Sequence, residues 1–461
     1  MSAPHAGAVP DLSGVHWIPG SRLAVLSLFA LPLCVIPGWG FTAALAYTAF
    51  LAFAAAWEAR TLATLVPSVA RSFDARLLLG VSNRVTLRLH NARSQSVRVT
   101  LRDDWPASFD ATPDEVAVTL PAHGRRELSY DVVPSRRGRF AFGVLHLRVE
   151  GLARLGAVIA TVDARAEVRV YPNVRGTRRY ELAAQLGSLH TVGVRHVRRV
   201  GSGGEFEQLR EYVPGDSYRE IDWKATAKRL RPVTRVHGQE QSQTVLIALD
   251  AGRMMATRMA DAGADGATDA IGPALTKLDH AIHAALLLAY VALRAGDRVG
   301  VVVFADDVRG FVPPGRGRVQ YRRILEALYA VEPSATHVDF RRLVEFVRVR
   351  VPRRALVVLF SDLLDESQAG PLAEHAQLLR AKHLPVCVSM NDPIAEAFAA
   401  APVAQPEEVY RRAAAVDLLM EREAIGARLR KSGVGLVEAP VGEMAIATVN
   451  RYLEIKSRHA L

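Results

Sequence analysis

Few residues of this chain combine the types and the spacing that catalysis requires. The glycine-rich stretch 201–204 is not followed by the lysine and serine or threonine of a phosphate-binding loop. Ser361 precedes Asp362, but no glycines frame it as a nucleophile elbow. His280 and His283 lie three residues apart without the glutamate of a zinc-protease helix, so core or surface histidines are favoured over metal ligands. We therefore predict that the protein is not an enzyme.

The segment 201–229 has the most distinctive arrangement of residues. Its acids and bases alternate closely around the aromatic residues Phe206, Tyr212 and Trp223. The charged residues are Arg210, Glu211, Asp216, Arg219, Glu220, Asp222, Lys224, Lys228 and Arg229. Arginine forks that satisfy carboxylates, with the aromatic rings packed between them, would form a half-buried network. The pattern predicts a folded hub between two domains.

This segment resembles the signature of the domain of unknown function 58 family, G-x-E-F-x-x-L-R-x-Y-x-x-G-D-x-x-R-x-I-D-W-x-A-x-A-R. The matching residues are Gly203, Glu205, Phe206, Leu209, Arg210, Tyr212, Gly215, Asp216, Arg219, Ile221, Asp222, Trp223, Ala225 and Ala227. Lys228 stands in place of the last arginine, and Arg229 follows it. The resemblance extends over the apolar N-terminal stretch and the regions on either side of the signature.

The resemblance implies a role without naming a reaction. It implies a membrane-tethered partner of MoxR-type AAA+ ATPases, and an α/β domain similar to von Willebrand factor type A. It also makes part of the signature a set of candidate interaction residues. These are Glu205, Phe206, Arg210, Tyr212, Gly215, Asp216, Arg219, Asp222 and Trp223.

The similarity to type A domains further implies a place for a divalent cation. Such domains often hold Mg²⁺ or Mn²⁺ with a D-x-S-x-S loop, a distant threonine and a second aspartate. Here Asp250 ends the first strand-like run, but Gly252 and Met254 replace both serines. Thr336 and Asp362 stand where the other two ligands would fall. The resemblance implies a degenerate Mg²⁺ site at Asp250, Thr336 and Asp362; the alternative is a relic in which Asp250 makes only local polar contacts.

A basic run precedes the signature and suggests a rival function. It comprises the arginines at positions 175, 178, 179, 195, 198 and 199. With 58 Lys+Arg against 47 Asp+Glu, the chain has a net charge of +11, which suits an anionic partner. The rival is a membrane-tethered nucleic-acid-binding protein, whose affinity would collapse with rising salt. Because no aromatic ladder or known nucleic-acid motif accompanies the run, we expect a solvated basic loop near membrane lipid, and no nucleic acid.

The residues after 244 predict the element that carries the candidate metal ligands. The continuous apolar runs TVLIALD, RVGVVVFA, ALVVLFSD, LPVCVSM and VGLVEAP alternate with helical patterns such as KLDHAIHAALLLAYVALRAG. Continuous apolar strands indicate a parallel sheet that is covered on both faces. We predict a doubly wound α/β domain over 244–461, preceded by a basic linker with the signature over 173–243.

A second kind of pattern occupies residues 74–172. The runs RVTLRLHN, SVRVTLRDD, EVAVTL, RELSYDVVP, GVLHLRVEG and AEVRVYP alternate apolar and polar residues. Short runs with period two, separated by turn residues, are typical of an antiparallel β-sandwich. We predict an all-β sandwich domain over 61–172, with a structural or binding role.

The chain begins with an apolar stretch without charge, over residues 23–57. About 20 apolar residues suffice to cross a bilayer, and Pro37 and Gly38 break this stretch in the middle. We predict a transmembrane hairpin of two short helices, 22–37 and 41–58, within a membrane anchor over 1–60. Two alternatives remain: one tilted or kinked span, and a cleaved signal peptide, although the stretch is long for the latter.

Residues around the apolar stretch predict its orientation. Trp17 and Trp57 lie near its ends, and four arginines flank it on one side of the predicted hairpin: Arg22, Arg60, Arg71 and Arg76. Arginine bias marks the cytoplasmic side, so we expect the inner membrane, with the body in the cytoplasm. The two cysteines, Cys34 and Cys387, are too far apart in the chain to suggest a disulfide framework.

These patterns together predict a multidomain protein with a transmembrane hairpin, an all-β sandwich and a doubly wound α/β domain, and the family resemblance implies that the last is similar to von Willebrand factor A. The function that we expect is a membrane-anchored, non-enzymatic adaptor for protein partners, with a MoxR-type AAA+ ATPase among them. Mg²⁺ is the one cofactor implied.

Overall fold

The computed structural model describes residues 16–64, 66–113, 115–151, 153–173, 206–213, 218, 221–237, 243–259, 275–362, 366–391, 393–402 and 405–458. The chain divides into two compact units. The first comprises Met1–Asn173 with Ala270–Leu275, and the second comprises Val174–Asp269 with Thr276–Leu461. A multidomain architecture, with a sheet-rich N-terminal region and an α/β C-terminal region, is therefore confirmed.

The first unit combines three apolar helices with twelve strands among its described residues. The helices are α1 (Ser21–Ser27), α2 (Ala30–Leu33) and α3 (Gly40–Ala63). The strands are β1 (His16–Pro19), β2 (Ser68–Phe73), β3 (Arg76–Leu78), β4 (Asn83–His90), β5 (Val97–Asp103), β6 (Phe109–Thr112), β7 (Glu115–Leu120), β8 (Arg125–Pro134), β9 (Gly138–Phe142), β10 (Leu145–Glu150), β11 (Gly156–Val162) and β12 (Ala166–Tyr171).

Three sheets share one apolar core in this unit. Their strand orders are β1-β11-β10-β5-β7, β2-β4-β8-β6 and β3-β12-β9. In β5 the alternating residues Val97, Val99 and Leu101 are buried in the core, while Arg98 and Arg102 point to the other face and are exposed. This alternation is the period-two pattern of the sequence, with one face of each strand in the core and the other toward water.

Strand β1 lies within the range 1–60 that was expected to form the membrane anchor. Its backbone nevertheless pairs antiparallel with β11, from His16 opposite Ile159 to Pro19 opposite Gly156. The chain thus passes through the sheet before it enters the apolar stretch. Four residues without a strong alternation are too short for a strand to be recognised from sequence.

The apolar stretch folds into one long helix and two short ones. Helix α3 has 24 residues, and its segment Gly40–Leu62, with a mean hydropathy of 1.5, is long and apolar enough to cross a membrane. The part expected as a first limb over 22–37 is divided into α1 and α2, which together form only the short apolar stretch Arg22–Leu33. Among the described residues, one helix therefore meets the length for a span.

Both ends of the apolar stretch are attached to the loop between β10 and β11. At the entrance, the amide of Gly20 donates to the carbonyl of Leu155 over 2.8 Å. At the exit, the carboxylate of Glu58 accepts from the amides of Ala153, Leu155 and Gly156 at 3.2, 2.8 and 3.1 Å. Helices α1 and α2 pack along α3, so the base of the apolar stretch is fixed to a single loop.

One of the flanking arginines used to orient the membrane segment has a structural role instead. Arg71 is 3% exposed and pairs with Asp103 through Nε, at 3.0 Å to Oδ2, and through a second, shorter contact. Its Nη1 also donates to the carbonyl of Ala164 over 2.7 Å, and Tyr130 donates to Asp103. A guanidinium inside the sheet-rich unit cannot interact with the membrane surface, so it carries no information about orientation.

The second unit begins with a hairpin and continues as an α/β sheet. Its helices are α4 (Trp223–Arg229), α5 (Lys277–Arg294), α6 (Gly317–Leu328), α7 (Phe340–Arg350), α8 (Glu366–Arg380), α9 (Pro393–Ala400), α10 (Pro406–Lys431) and α11 (Met444–Ser457). Its strands are β13 (Phe206–Glu211), β14 (Val233–His237), β15 (Thr244–Asp250), β16 (Arg258–Met259), β17 (Leu275–Thr276), β18 (Arg298–Phe304), β19 (Val308–Gly315), β20 (Leu356–Phe360), β21 (Leu384–Met390) and β22 (Gly435–Ala439).

Six strands form the main sheet of this unit, in the order β19-β18-β15-β20-β21-β22. The five strands from β18 to β22 along this order are parallel, and β19 is an antiparallel edge strand. Helices α7, α8 and α10 pack on the face that carries Leu246 and Ala248. Because successive side chains of a strand point to opposite faces, the equally buried Val245 and Ile247 face the helices of the other side, where α5 contacts β15.

Candidate functional site

The order of the main sheet creates a site at the carboxyl ends of β15 and β20. From β15 the chain crosses to β18 on one side, whereas from β20 it crosses to β21 on the other side. In open α/β sheets, ligands bind where the connections diverge in this way. Asp250 ends β15, and Ser361 and Asp362 directly follow β20, so the topology brings these residues together.

A lysine that the sequence did not suggest lies at the centre of this site. Lys277, the first residue of α5, donates from Nζ to Oδ2 of Asp362. The two side chains are 2% and 0% exposed. Lys277 and the strand-end carboxylate of Asp362 thus form a buried ion pair.

The second carboxylate, that of Asp250, is satisfied by its own neighbours. Its Oδ2 accepts from the hydroxyl of Ser361 over 2.6 Å, and its Oδ1 accepts from the amide of Gly252 over 2.7 Å. Burial raises the pKa of Asp250 to about 6; the two hydrogen bonds oppose the rise, and the nearby charge of Asp362 adds to it. The three groups Asp250, Asp362 and Lys277 therefore lie together as buried polar groups at the ends of β15 and β20.

The third expected ligand, Thr336, belongs to a different group of side chains. Its hydroxyl donates to Asp306 over 3.1 Å, lies 2.8 Å from the hydroxyl of Ser334, and accepts from Arg309 over 3.3 Å. Its carbonyl accepts from the amide of Arg253 over 3.0 Å, which holds this loop against the end of β15. The expected trio is thus split between a buried pair of aspartates and a threonine in an exposed ion-pair network.

These residues do not fit a magnesium site. Mg²⁺ requires a near-octahedral set of oxygens at about 2.0–2.1 Å, several of them usually from water. Here both oxygens of Asp250 and Oδ2 of Asp362 already accept from protein donors. Position 252 has no room for a serine, because a Cβ on Gly252 would lie 2.6 Å from Cγ2 of Val338. Within the described residues, no three His, Cys, Asp or Glu side chains are grouped to hold a metal ion.

One feature of the sequence could have identified Lys277 as a residue of the site. It occupies the first helical position of α5, where the helix dipole disfavours a cation. Thr276 and Asp279 form a capping box immediately around it, which fixes the start of the helix at that residue. A lysine at such a position needs an acidic partner, but the partner lies 85 residues away in the chain.

The described part of the signature segment is a small exposed substructure. Strands β13 and β14 form an antiparallel hairpin, and Asp222 caps α4 by accepting from the amide of Ala225 over 2.9 Å. The side chains of Phe206, Leu209 and Arg210 lie outside the described residues, although their backbone belongs to β13. The other signature residues outside them are Gly203, Glu205, Gly215, Asp216 and Arg219.

The aromatic residues of this segment are not packed as the charge pattern suggested. Tyr212 and Tyr218 stack with ring centroids 5.8 Å apart, but Tyr218 is mostly exposed. Trp223 is 69% exposed at the start of α4, and Leu230 is 91% exposed at its end. Of the described ion pairs here, Glu211 with Arg231 is at the surface. Among the described aromatic residues of the segment, Tyr212 is half-buried, whereas Tyr218 and Trp223 are exposed.

The remaining candidate residues either lie on α5 or fall outside the described residues. His280 is buried on α5 and His283 is half-buried one turn later. The glycines of 201–204 and the arginines at 175, 178, 179, 195, 198 and 199 lie outside the described residues.

One protein family matches the part of the chain that contains the candidate site. Residues 208–408 match the family described as "Protein of unknown function DUF58". The match begins inside β13, includes the switch-point residues Asp250, Lys277 and Asp362, and ends within α10. It confirms the resemblance to this family over that stretch.

Uncharacterised proteins of Mycobacterium tuberculosis and Mycobacterium bovis are similar to part of this chain. They are 23% identical over 199 residues, which is 42% of this chain and 56% of each relative. The chain thus spans a little over half the length of the curated relatives it matches.

Two solved structures are similar to parts of this chain. BatB from Bacteroides thetaiotaomicron, a conserved hypothetical protein, is 15% identical and covers 47% of this chain and 100% of its own, with a TM-score of 0.30. The cupredoxin domain of amoB from Nitrosocaldus yellowstonii is 12% identical over 22% of this chain and 86% of its own, with a TM-score of 0.16. Structural similarity with TM-scores this low does not support an inference about fold or function.

Proposed function

We propose that this protein is a membrane-anchored adaptor without enzymatic activity. Its body binds protein partners on the cytoplasmic side of the inner membrane, and the signature segment 201–229 provides the binding surface. The exposure of Trp223 is the observation that carries this proposal. A MoxR-type AAA+ ATPase is the partner that the family resemblance suggests.

The exposed aromatic residues of the signature segment support a docking role. Trp223, Tyr218 and Val213 are all exposed within this short stretch of the chain. Exposed large apolar side chains are typical of protein interaction sites, and tryptophan is enriched among residues that dominate binding energy. A tryptophan that stabilised only the fold would be expected inside the core.

The apolar helices support attachment to a membrane. Helix α3 runs about 27 Å from Gly40 to Glu58 at 1.5 Å per residue, close to the thickness of a bilayer core. Because Gly20 and Glu58 are attached to one loop, a hairpin with both ends on the same side is the arrangement we favour. Trp57 is exposed near this base, as expected for a residue at the membrane interface.

The α/β unit supports an adaptor more than an enzyme. The order of its sheet, with five parallel strands and an antiparallel edge, is compatible with a von Willebrand factor A-like domain. At its switch point, Lys277 donates to Asp362, and Asp250 accepts from Ser361 and from the amide of Gly252. We propose that this cluster stabilises the loops around it and that partner binding needs no metal.

Affinity capture from native membranes tests the proposal. The full chain is compared with Trp223→Ala and with Tyr410→Ala, a matched control because Tyr410 is 79% exposed on α10, outside the signature segment. Loss of a tryptophan that contributes about 2 kcal/mol weakens binding about 30-fold, so capture of an AAA+ ATPase should fall sharply for Trp223→Ala only.

Two outcomes would contradict the adaptor proposal. Equal capture by the wild type and Trp223→Ala would remove the signature segment from the binding surface. A large fall in the melting temperature of Trp223→Ala would give the residue a structural role, since an exposed side chain should change stability by no more than about 0.5 kcal/mol. Protease added to intact spheroplasts should leave the body intact if it is cytoplasmic.

A further inference from the structure

The geometry points to a binding site for the phosphate of an anionic lipid headgroup, on the sheet-rich unit at the base of the apolar helices. We propose that a groove of about 900 Å³, on the outer face of the sheet β1-β11-β10-β5-β7, holds this phosphate. The residues that would bind it are Arg98, Arg148 and Arg154. This inference rests on the membrane attachment proposed above.

The groove arises from the alternation of the strands that line it. Arg98 and Arg102 on β5 are both turned away from the core, and His146 and Arg148 on β10 lie beside them. In the register, Arg98 is opposite Glu150 and Arg102 is opposite His146. Long cationic side chains on neighbouring strands therefore surround an open, polar depression on the solvent face.

The charge of the groove differs between its two ends. At one end lie Arg98, Arg148 and Arg154, with Glu150 as the acid among the lining residues there. Glu150 already pairs with Arg148 at 2.8 Å. This end of the groove thus carries an excess of positive charge, and arginine forks match phosphate oxygens in a bidentate way.

At the opposite end, two carboxylates outnumber the one arginine. Arg102 lies opposite Glu115 in the register of β5 and β7, and Asp104 also lines the groove. An anion therefore gains more at the end with Arg98 and Arg154. The far end offers a matched control within the same groove.

The positive end lies next to the attachment of the apolar helices. Arg154 belongs to the loop whose neighbouring amides, of Ala153 and Leu155, donate to Glu58 at the end of α3. The carbonyl of Arg154 also accepts from the amide of Arg22, at the start of α1, over 3.2 Å. If α3 is embedded in a bilayer, this loop lies at the level of the lipid headgroups, where basic residues gain from anionic lipid.

The test uses the purified full chain in a zwitterionic detergent. Dioctanoyl phosphatidylglycerol, dioctanoyl phosphatidylcholine and inorganic phosphate are titrated separately, and the melting temperature of the sheet-rich unit is followed. The double variant R98Q/R154Q is compared with R102Q. We expect saturable stabilisation of the wild type by phosphatidylglycerol, weakened roughly tenfold or more in the double variant and unchanged in R102Q.

Three outcomes would overturn the inference. Equal stabilisation by phosphatidylcholine would show that net negative charge is not recognised. Saturation by inorganic phosphate in the same range as the lipid would assign the site to a soluble phosphate compound. An equal loss in R102Q would show a diffuse charge effect without a site at the positive end.

Membrane attachment is measured separately in cells, by fractionation of the same variants. We expect all of them in the membrane pellet, because the substituted arginines are not in the apolar helices. Wild-type protein in the soluble fraction would contradict the attachment itself, whereas the titrations in detergent test the phosphate site directly.

Discussion

Replacement of Lys277 by methionine is the most direct test of the switch-point cluster. Methionine has a similar length but no charge, so Asp362 would remain buried without its cation. Both side chains are at most 2% exposed, and removal of one partner of a buried ion pair costs about 3–5 kcal/mol. For a unit of roughly 200 residues, each kcal/mol shifts the melting temperature by about 2–4 °C, so we expect a fall of about 6–20 °C.

Calorimetry of the full chain measures the shift, and hydrogen exchange of peptides from β15 and β20 assigns it to the correct unit. Glu345→Gln is the control, because it removes only the exposed pair with Arg341, at 3.4 Å, and should cost less than about 0.5 kcal/mol. The double variant Lys277→Met/Asp362→Leu should regain much of the loss, since an apolar pair can replace a buried ion pair at little cost.

The same experiment decides whether the cluster binds a metal. With Lys277 in place, the wild type should melt at the same temperature in millimolar Mg²⁺ and in EDTA. A ligand that prefers the native state raises the melting temperature, so an increase with Mg²⁺ would refute the reasoning. A shift below about 2 °C for Lys277→Met would refute it as well, because the pair would then contribute little to stability.

Two further predictions concern the half-buried Glu58 and the buried Asp250. Glu58→Gln should destabilise the sheet-rich unit by about 2 kcal/mol, because the charged acceptor of three backbone amides is lost. The control is Glu127→Gln, which removes an exposed pair with Arg88 and should change the melting temperature little. Equal effects of the two substitutions would contradict the role of Glu58 at the helix base. Burial raises the pKa of Asp250 from 3.8 to about 6, so the folded state binds this proton more tightly than the unfolded state does. The stability of the wild type relative to Asp250→Asn should therefore increase as the pH falls from 7 to 4, and a pH-independent difference in melting temperature would contradict the raised pKa.

Many strands could be predicted from local pattern alone. The run TVLIALD became β15, over Thr244–Asp250, and LPVCVSM became β21, over Leu384–Met390. Both are buried on two faces, which is why they read as continuous apolar runs. Strand β11, with the sequence GAVIATV, was not among the predicted strands of the β region, since its continuous apolar character hides the alternation expected there.

The candidate site was predictable only in part. Asp250 and Asp362 were identified through the resemblance to type A domains, and the structure places both at the carboxyl ends of neighbouring parallel strands. Thr336 was grouped with them by resemblance, but its hydroxyl interacts with Asp306 and Arg309. The exposure of Trp223 could not be predicted, because burial depends on which other elements lie over a helix, and the type of residue does not determine this.

The sequence by itself determined the types of element and their order: an uncharged apolar stretch, alternating strands, and continuous strands between helices. These features depend on neighbouring residues, which share one local environment along the chain. Only the tertiary structure decided that Lys277 neutralises Asp362, and that Glu58 holds a loop almost a hundred residues away. Pairs this distant in the chain leave no periodicity in the sequence, and their partners are chosen by the packing of whole elements.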